Sequence, residues 1–160
     1  MILAMNETID DIDRRILSEV QRDAGQGLEA LGEAVGLSRN AAWRRIRRLE
    51  ESGLIRARVA LLDAEKLGLG LTVVIQVRTN RHDPEWLDRF ARAVREMPEI
   101  LGAHRMSGDL DYLIRAKVRD MAAYDRLYQR LIRKVELSDV SASFVMEDLK
   151  DTTALPLFQG

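Results

Sequence analysis

An α+β fold in two parts is predicted by three features of the chain. Residues 28–55, LEALGEAVGLSRNAAWRRIRRLEESGLI, read as two short helices joined by a tight turn, the second studded with arginine. Near Leu62 this pattern breaks. Beyond it the hydrophobic periods run strand, helix, strand, strand, helix, strand. With 160 residues, 46% of them hydrophobic, the chain is long enough to bury two small cores.

In the first part, Ile9, Ile12, Ile16 and Val20 recur at helical spacing, so a helix of roughly Asp10 to Arg22 is expected to close a three-helix core. Leu28, Leu31 and Val35 give the second helix one apolar face, Gly36 permits a sharp exit, and Leu37 can fill the angle between helices. Ser38 is placed to cap the third helix. There Ala42, Ile46 and Leu49 fall within one arc, while Asn40, Arg44, Arg47 and Arg48 project from the opposite side. Trp43, at the edge of the arc, is expected to pack beside the first turn rather than reach a base. The pattern is that of a helix-turn-helix, whose second helix enters the DNA major groove. Gly53 ends that helix, and the branched residues from Ile55 to Leu62 suggest a short strand or wing.

Charge supports a DNA partner locally rather than globally. Arg39, Arg44, Arg45, Arg47, Arg48, Arg56 and Arg58 stand against Glu50 and Glu51, which makes this stretch +5 and the remainder −6 in a chain of net charge −1. A focused basic surface is what phosphate neutralisation requires. The expected DNA-binding set is Ser38, Arg39, Asn40, Arg44, Arg47, Arg48, Arg56 and Arg58, with Arg44 and Arg47 reaching base edges and Arg48, Arg56 and Arg58 on phosphates.

In the second part, Val73, Ile75 and Val77 alternate as a strand. Trp86, Phe90, Val94 and Met97 follow at helical spacing, opened by Asp83 and Pro84 and stopped by Pro98. Ile100 to Met106 and Tyr112 to Val118 form two strands facing each other across Ser107 to Asp111. Met121, Tyr124, Leu127, Leu131 and Val135 then make a second helical stripe, and Val140, Ala142, Phe144 and Met146 a last strand. This βαββαβ order implies a four-stranded antiparallel sheet with both helices on one face, the ferredoxin-like arrangement. Val74, Leu113 and Val145 would then point away from the helices, and an uncovered apolar sheet face favours self-association. The predicted division is residues 1–62 as DNA-binding module with its following strand, 63–70 as connector and 71–160 as sensing and oligomerisation domain.

Composition narrows the function. The chain has no cysteine, which excludes disulfides and thiolate metal sites and suits a reducing compartment. The opening MILAMNETIDD lacks a basic flank and a small-residue cleavage site, and nothing approaches the ~20 apolar residues of a membrane span. A cytoplasmic protein without membrane partner, metal or cofactor is expected.

Four stretches resemble the Lrp/AsnC, or feast/famine, transcriptional regulators: IDDIDRRIL at 9–17, VGLSRNAAWRRIRRLEESGLI at 35–55, SGDLDYL at 107–113 and KDTTALPL at 150–157. The resemblance implies a sequence-specific regulator of amino-acid metabolism, with an N-terminal winged helix-turn-helix DNA-binding domain joined to a C-terminal sensor of ferredoxin-like fold that dimerises through its sheets. It further implies assembly of such homodimers into tetramers or octamers and an amino-acid effector bound between them. At Val135 to Ser138 the chain departs from the family, which usually carries a Pro-Gly turn there. The phrases RVALLDAEKLGLGLT and MPEILGAHRMSGDLDYL are similar to a branch associated with cysteine responses.

An α-amino acid needs a carboxylate for its ammonium beside exposed backbone N–H groups for its own carboxylate. Ser107, Gly108, Asp109 and Asp111 can supply both, although Gly and Asp between two strands are also ordinary turn residues. Tyr112 completes this effector set, while its place in the alternation assigns it to strand packing. The rival function is an enzyme resembling the sirohaem decarboxylases, which share a similar two-domain frame. Such chemistry would call on His82 and His104, which fall in separate segments with no metal-ligand spacing and read as surface or structural histidines, so no catalytic residue is expected.

Overall fold

The computed structural model describes residues 9–81 and 83–157, and its chain divides into two compact units. The first comprises residues up to 61 together with 150–157 of the C-terminal segment, the second Leu62–Leu149.

The first unit holds helices α1 (Asp11–Arg22), α2 (Leu28–Val35) and α3 (Arg39–Glu51). Asp10 caps α1 by accepting the Asp13 N–H at 2.7 Å, and Asp13 returns the contact by accepting the Asp10 N–H at 3.2 Å, a reciprocal capping box. Gly36, with φ +74°, turns the chain out of α2. Ser38 then caps α3 through the Ala41 N–H at 3.3 Å. Ile16, Leu17, Leu31, Val35, Ile46 and Leu49 form the buried core between the three helices. The close approach at the turn needs Gly32: a Cβ there would lie 2.7 Å from the Leu37 carbonyl oxygen, whose own N–H donates to the Gly32 carbonyl at 2.7 Å.

The second unit contains β1 (Leu71–Arg78), α4 (Pro84–Arg95), β2 (Ile100–Arg105), β3 (Tyr112–Val118), α5 (Met121–Lys134) and β4 (Asp139–Phe144). All pairings are antiparallel, in the order β2-β3-β1-β4. Val73, Ile75, Val77, Ile114, Ala116 and Val118 from the sheet meet Trp86, Phe90 and Ala93 of α4 and Leu127 and Leu131 of α5 in one core. Burying this much apolar surface on one face is what places both helices on the same side.

Three expectations are corrected. Residues 55–62 form no strand, because among the described residues this extended segment has no ladder partner; Val59, Leu61 and Leu62 stay exposed. The C-terminal segment, expected in the sensing domain, joins the first unit: Leu155 is hydrogen-bonded to Gln21 and Leu157 packs on the helical core. The outer sheet face is less apolar than expected. Its half-buried Val74 stands opposite Arg115 and Ser143, and Leu113 opposite Gln76 and His104, so apolar and polar side chains interleave. Val145 lies just past β4, where its N–H donates to the Thr72 carbonyl at 3.0 Å.

Candidate nucleic-acid and effector sites

The two sides of α3 do different work. Ala42, Ile46 and Leu49 are buried, whereas Arg39, Asn40, Arg44, Arg47 and Arg48 are exposed. Arg44, Arg39 and Arg56 make no ion pair among the described residues, so their charge is available to a polyanion. Arg47 pairs with Glu51 one turn later at 3.3 Å, and Arg58 with Glu50 at 2.7 Å. These exposed pairs are weak and can exchange for phosphate.

Arg45 and Arg48 face α1. Both guanidinium groups bind the Asp13 carboxylate, Arg45 at 2.8 Å, and Arg45 also reaches Asp10 at 2.7 Å. Asp13 is completely buried, so these partners take the place of water around its carboxylate. The Asp13 N–H, and next the Arg45 guanidinium, hold the Asp10 carboxyl below the usual aspartate range. Asp10 and then Asp13 in turn push Arg45 up. Arg48, expected on phosphate, thus has a structural tie. Trp43, at the edge of the apolar arc, is half exposed.

At the other candidate site, the Met106 N–H donates to the Asp111 carbonyl at 2.8 Å and closes the turn between β2 and β3. Gly108, at φ +116°, adopts a backbone that side chains resist. Ser107, Gly108 and Asp109 are exposed, and the side chain of Asp109 has no hydrogen-bond or ion-pair partner among the described residues. Asp111 is different. It is half-buried and accepts the Thr79 N–H at 2.8 Å, which ties the turn to the end of β1. Arg78 bridges the same region, donating to the Asp109 carbonyl at 3.0 Å and pairing with Asp139 at 2.9 Å.

Tyr112 packs in the core, its ring 4.5 Å from Phe90 and 5.6 Å from Trp86, as its strand position implied. It also floors a cleft of about 400 Å³ between α4 and β2, lined by Phe90, Val94, Ile100, Ala103 and Arg105 among others. The cleft is bounded by Arg105 and Tyr112, the residues that end β2 and open β3. Sequence reasoning missed it, because β2 contributes to it through an irregular register between Ile100 and Gly102. His104 sits exposed on β2, and His82 lies outside the described residues.

A model of winged helix-turn-helix DNA-binding domains matches residues 9–56, and a model of the Lrp/AsnC ligand binding domain matches residues 72–155. The chain belongs to the Lrp/AsnC family. As a member it is a DNA-binding transcriptional regulator with a ligand-binding domain. This Lrp/AsnC regulator is 49% identical over 150 residues to the DNA-binding transcriptional activator DecR of Escherichia coli, spanning 93% of this chain and 99% of that one. It is 48% identical over 153 residues to the glutamate uptake regulatory protein of Zymomonas mobilis, with 96% and 93% covered. Among solved structures, an AsnC family transcriptional regulator from Agrobacterium tumefaciens superposes with a TM-score of 0.90 at 49% identity, covering 92% of this chain and 97% of that one. The Neisseria meningitidis regulator NMB0573, solved as a complex with L-Met, superposes with a TM-score of 0.89 at 35% identity, covering 93% and 97%. No helix among the described residues is long and apolar enough to cross a membrane.

Proposed function

We propose that this regulator reads its operator with Asn40, Arg44 and Arg47 of α3, anchors on phosphates through Arg39, Arg56 and Arg58, and answers to a small amino acid bound at the turn 107–109. The observation that carries the DNA reading is the division of α3. Its inner face is buried, Arg45 and Arg48 are bound to Asp13, and the exposed arginines without that tie are the ones a major groove would meet. For the effector, the exposed carboxylate of Asp109 offers an acceptor for an amino acid's ammonium, and the exposed Gly108 backbone lets the ligand's carboxylate approach main-chain N–H groups. L-methionine, present in the Neisseria meningitidis complex, leads the candidate ligands, with L-glutamate, whose uptake another relative is named for regulating, and L-cysteine, from the sequence resemblance, beside it.

A second copy of the chain completes the assembly in this reading. The outer sheet face offers Val74 and Leu113 for burial and Gln76, Ser141 and Ser143 for hydrogen bonds across a two-fold axis. The extended residues 55–62, with exposed Val59 and Leu61, would find in the partner the strand they lack. Further assembly to tetramers or octamers and a cytoplasmic site of action belong to the same reading.

The test is fluorescence anisotropy on a duplex selected from random sequence by the purified protein, repeated with each of the twenty amino acids. Salt-dependent binding, and a shift in affinity with at least one amino acid, are expected. Failure to select any duplex rejects the DNA reading, and indifference to all twenty rejects the effector reading. A tetrapyrrole absorbance on the purified protein would revive the enzymatic alternative.

A further inference from the structure

The DNA-binding unit contains one segment that its DNA contacts do not use. β4 ends at Phe144, the chain leaves the second unit at Leu149, and residues 150–157 return to the first unit without forming helix or strand. Among the described residues, the side chain of Gln21 hydrogen-bonds them. The Gln21 amide donates to the Leu155 carbonyl at 3.2 Å and accepts the Leu155 N–H at 2.6 Å. This two-point pairing recognises backbone and gives α1 the grip that a neighbouring strand would have. Two residues later Leu157 packs on the core of Ile16, Leu17 and their neighbours.

Apart from these contacts the segment is loosely packed, with residues 150–156 all exposed. Leu155 is 71% exposed, and hollows of about 730 and 800 Å³ adjoin the segment, both lined in part by Leu155. A segment fastened at two points and loosely packed elsewhere detaches at lower cost than a helix of the core.

The helix it grips is also the one that holds α3. Gln21 and Asp13 lie eight residues apart on α1, and Asp13 binds Arg45 and Arg48 of α3. We propose that residues 150–157 are a strap: fastened on Gln21, they hold α1, and through Asp13 they hold α3 in its DNA-reading position. Because the strap begins where the second unit ends, that unit has a second covalent tie to the DNA-binding unit besides the connector. A change in the sensing unit that pulls on residues 145–149 therefore reaches the recognition helix without passing through 62–70. The proposal rests on the reading that α3 is the DNA-reading element.

The test uses three full-length or near-full-length variants. Gln21→Ala removes both hydrogen bonds from the α1 side, Leu155→Pro removes the N–H from the strap side, and a stop after Asp151 removes the strap. Amide hydrogen exchange of α1 and α3 should quicken at least tenfold in all three while the strands of the second unit keep wild-type rates. Binding to the selected duplex should weaken at least fivefold, and a synthetic peptide of residues 150–160 should return the truncated protein to within twofold of wild type. Operator affinity and α3 exchange within twofold of wild type in Gln21→Ala and Leu155→Pro would overturn the strap. Should the wild-type protein select no duplex, the DNA reading has failed, and α3 exchange alone decides the strap.

Discussion

Arg45 on α3 places its Nη1 atom 2.8 Å from Oδ1 of Asp13 on α1, and the Asp13 side chain is 99% removed from solvent while the Arg45 side chain keeps 29% of its surface. A buried carboxylate so held is costly to leave without partners and costly to delete, because Arg48 then loses its partner and Arg45 keeps only Asp10. Asp13→Ala should destabilise the first unit by about 2–4 kcal/mol, below the fully buried range because both arginines reach water. Asp13→Asn should cost about 1–3 kcal/mol, since its amide oxygen can still accept from one arginine. The chain has only two tryptophans, Trp43 in the first unit and Trp86 in the second, so urea unfolding in a Trp86→Phe background follows the first unit alone. Equal midpoints for wild type and Asp13→Ala would show that the pair contributes nothing.

Asp10 supplies a pH dependence. Its folded carboxyl is held low by the Asp13 N–H and then by Arg45, so it binds a proton less readily folded than unfolded. The stability it lends is complete above the ordinary aspartate value of ~3.9 and is lost as pH falls from there through the lower folded value. Asp10→Ser keeps a capping oxygen but cannot titrate. Thermal unfolding of the first unit between about pH 5 and pH 2 should therefore fall less steeply in the variant than in wild type; identical slopes would exclude Asp10 as a source of acid sensitivity.

The pair Asp13 and Arg45 also shows where the sequence was legible. The apolar arc of α3, the Ser38 cap and the order of strands and helices follow from periodicity, which depends only on neighbours three, four or two residues away. The destination of Arg45 and Arg48 depends on a residue more than thirty positions earlier. A signal was present, because Asp13 lies in the same helical arc as Ile9, Ile12, Ile16 and Val20, and an acid on an apolar face requires a cationic partner. Residues 55–62 have strand composition, but a strand exists only where a second edge meets it. The place of residues 150–157 carried no periodic signal, since Gln21 reads their backbone rather than their side chains.

Recognition of DNA should separate two arginines that look alike in sequence. Arg44 is exposed without an ion pair among the described residues, so Arg44→Ala should cost about 1–3 kcal/mol of operator affinity and relax preference at one base position while stability stays unchanged. Arg48 is bound to Asp13, so Arg48→Ala should lower the unfolding midpoint of the first unit. Arg56→Ala should leave base preference intact and reduce the salt slope by about 1. Anisotropy titrations across a salt series, with unfolding measured on the same proteins, distinguish the three. A specificity change from Arg48→Ala with no loss of stability would reverse the assignment.

Assembly through the sheet can be tested at Leu113, which is half-buried in a single chain opposite Gln76 and His104. Leu113→Lys would carry a charge into the meeting of two sheets, where desolvation without a partner costs several kcal/mol. Light scattering at low micromolar concentration should show the variant with half the wild-type mass or less. Leu101→Lys, on the exposed edge strand, should leave the dimer intact. Unchanged mass for Leu113→Lys would move the interface elsewhere.

Effector binding should divide the two aspartates of the turn, because their surroundings assign them different work. Asp111 accepts the Thr79 N–H at 2.8 Å and fixes the turn to β1, whereas the Asp109 side chain is exposed and its backbone carbonyl is held by Arg78 at 3.0 Å. A carboxylate already spent on the fold is a poor receiver for a ligand ammonium, and an exposed one on a fixed backbone is a good receiver. Asp109→Asn should therefore leave folding and basal DNA binding unchanged while lowering amino-acid affinity by about 1.5–3 kcal/mol, the value of a charge-assisted hydrogen bond. The effector's influence on operator affinity should shift to correspondingly higher effector concentration. Asp111→Ala should instead destabilise the second unit by about 1–3 kcal/mol, because the Thr79 N–H loses its acceptor. Calorimetric titration of L-methionine, L-glutamate and L-cysteine against wild type, Asp109→Asn, Asp111→Ala and Asp111→Asn, with unfolding followed through Trp86, reads both effects. If Asp109→Asn binds its amino acid as wild type does while Asp111→Asn, folded, does not, the ammonium sits on Asp111 and the division of labour drawn from these hydrogen bonds is wrong.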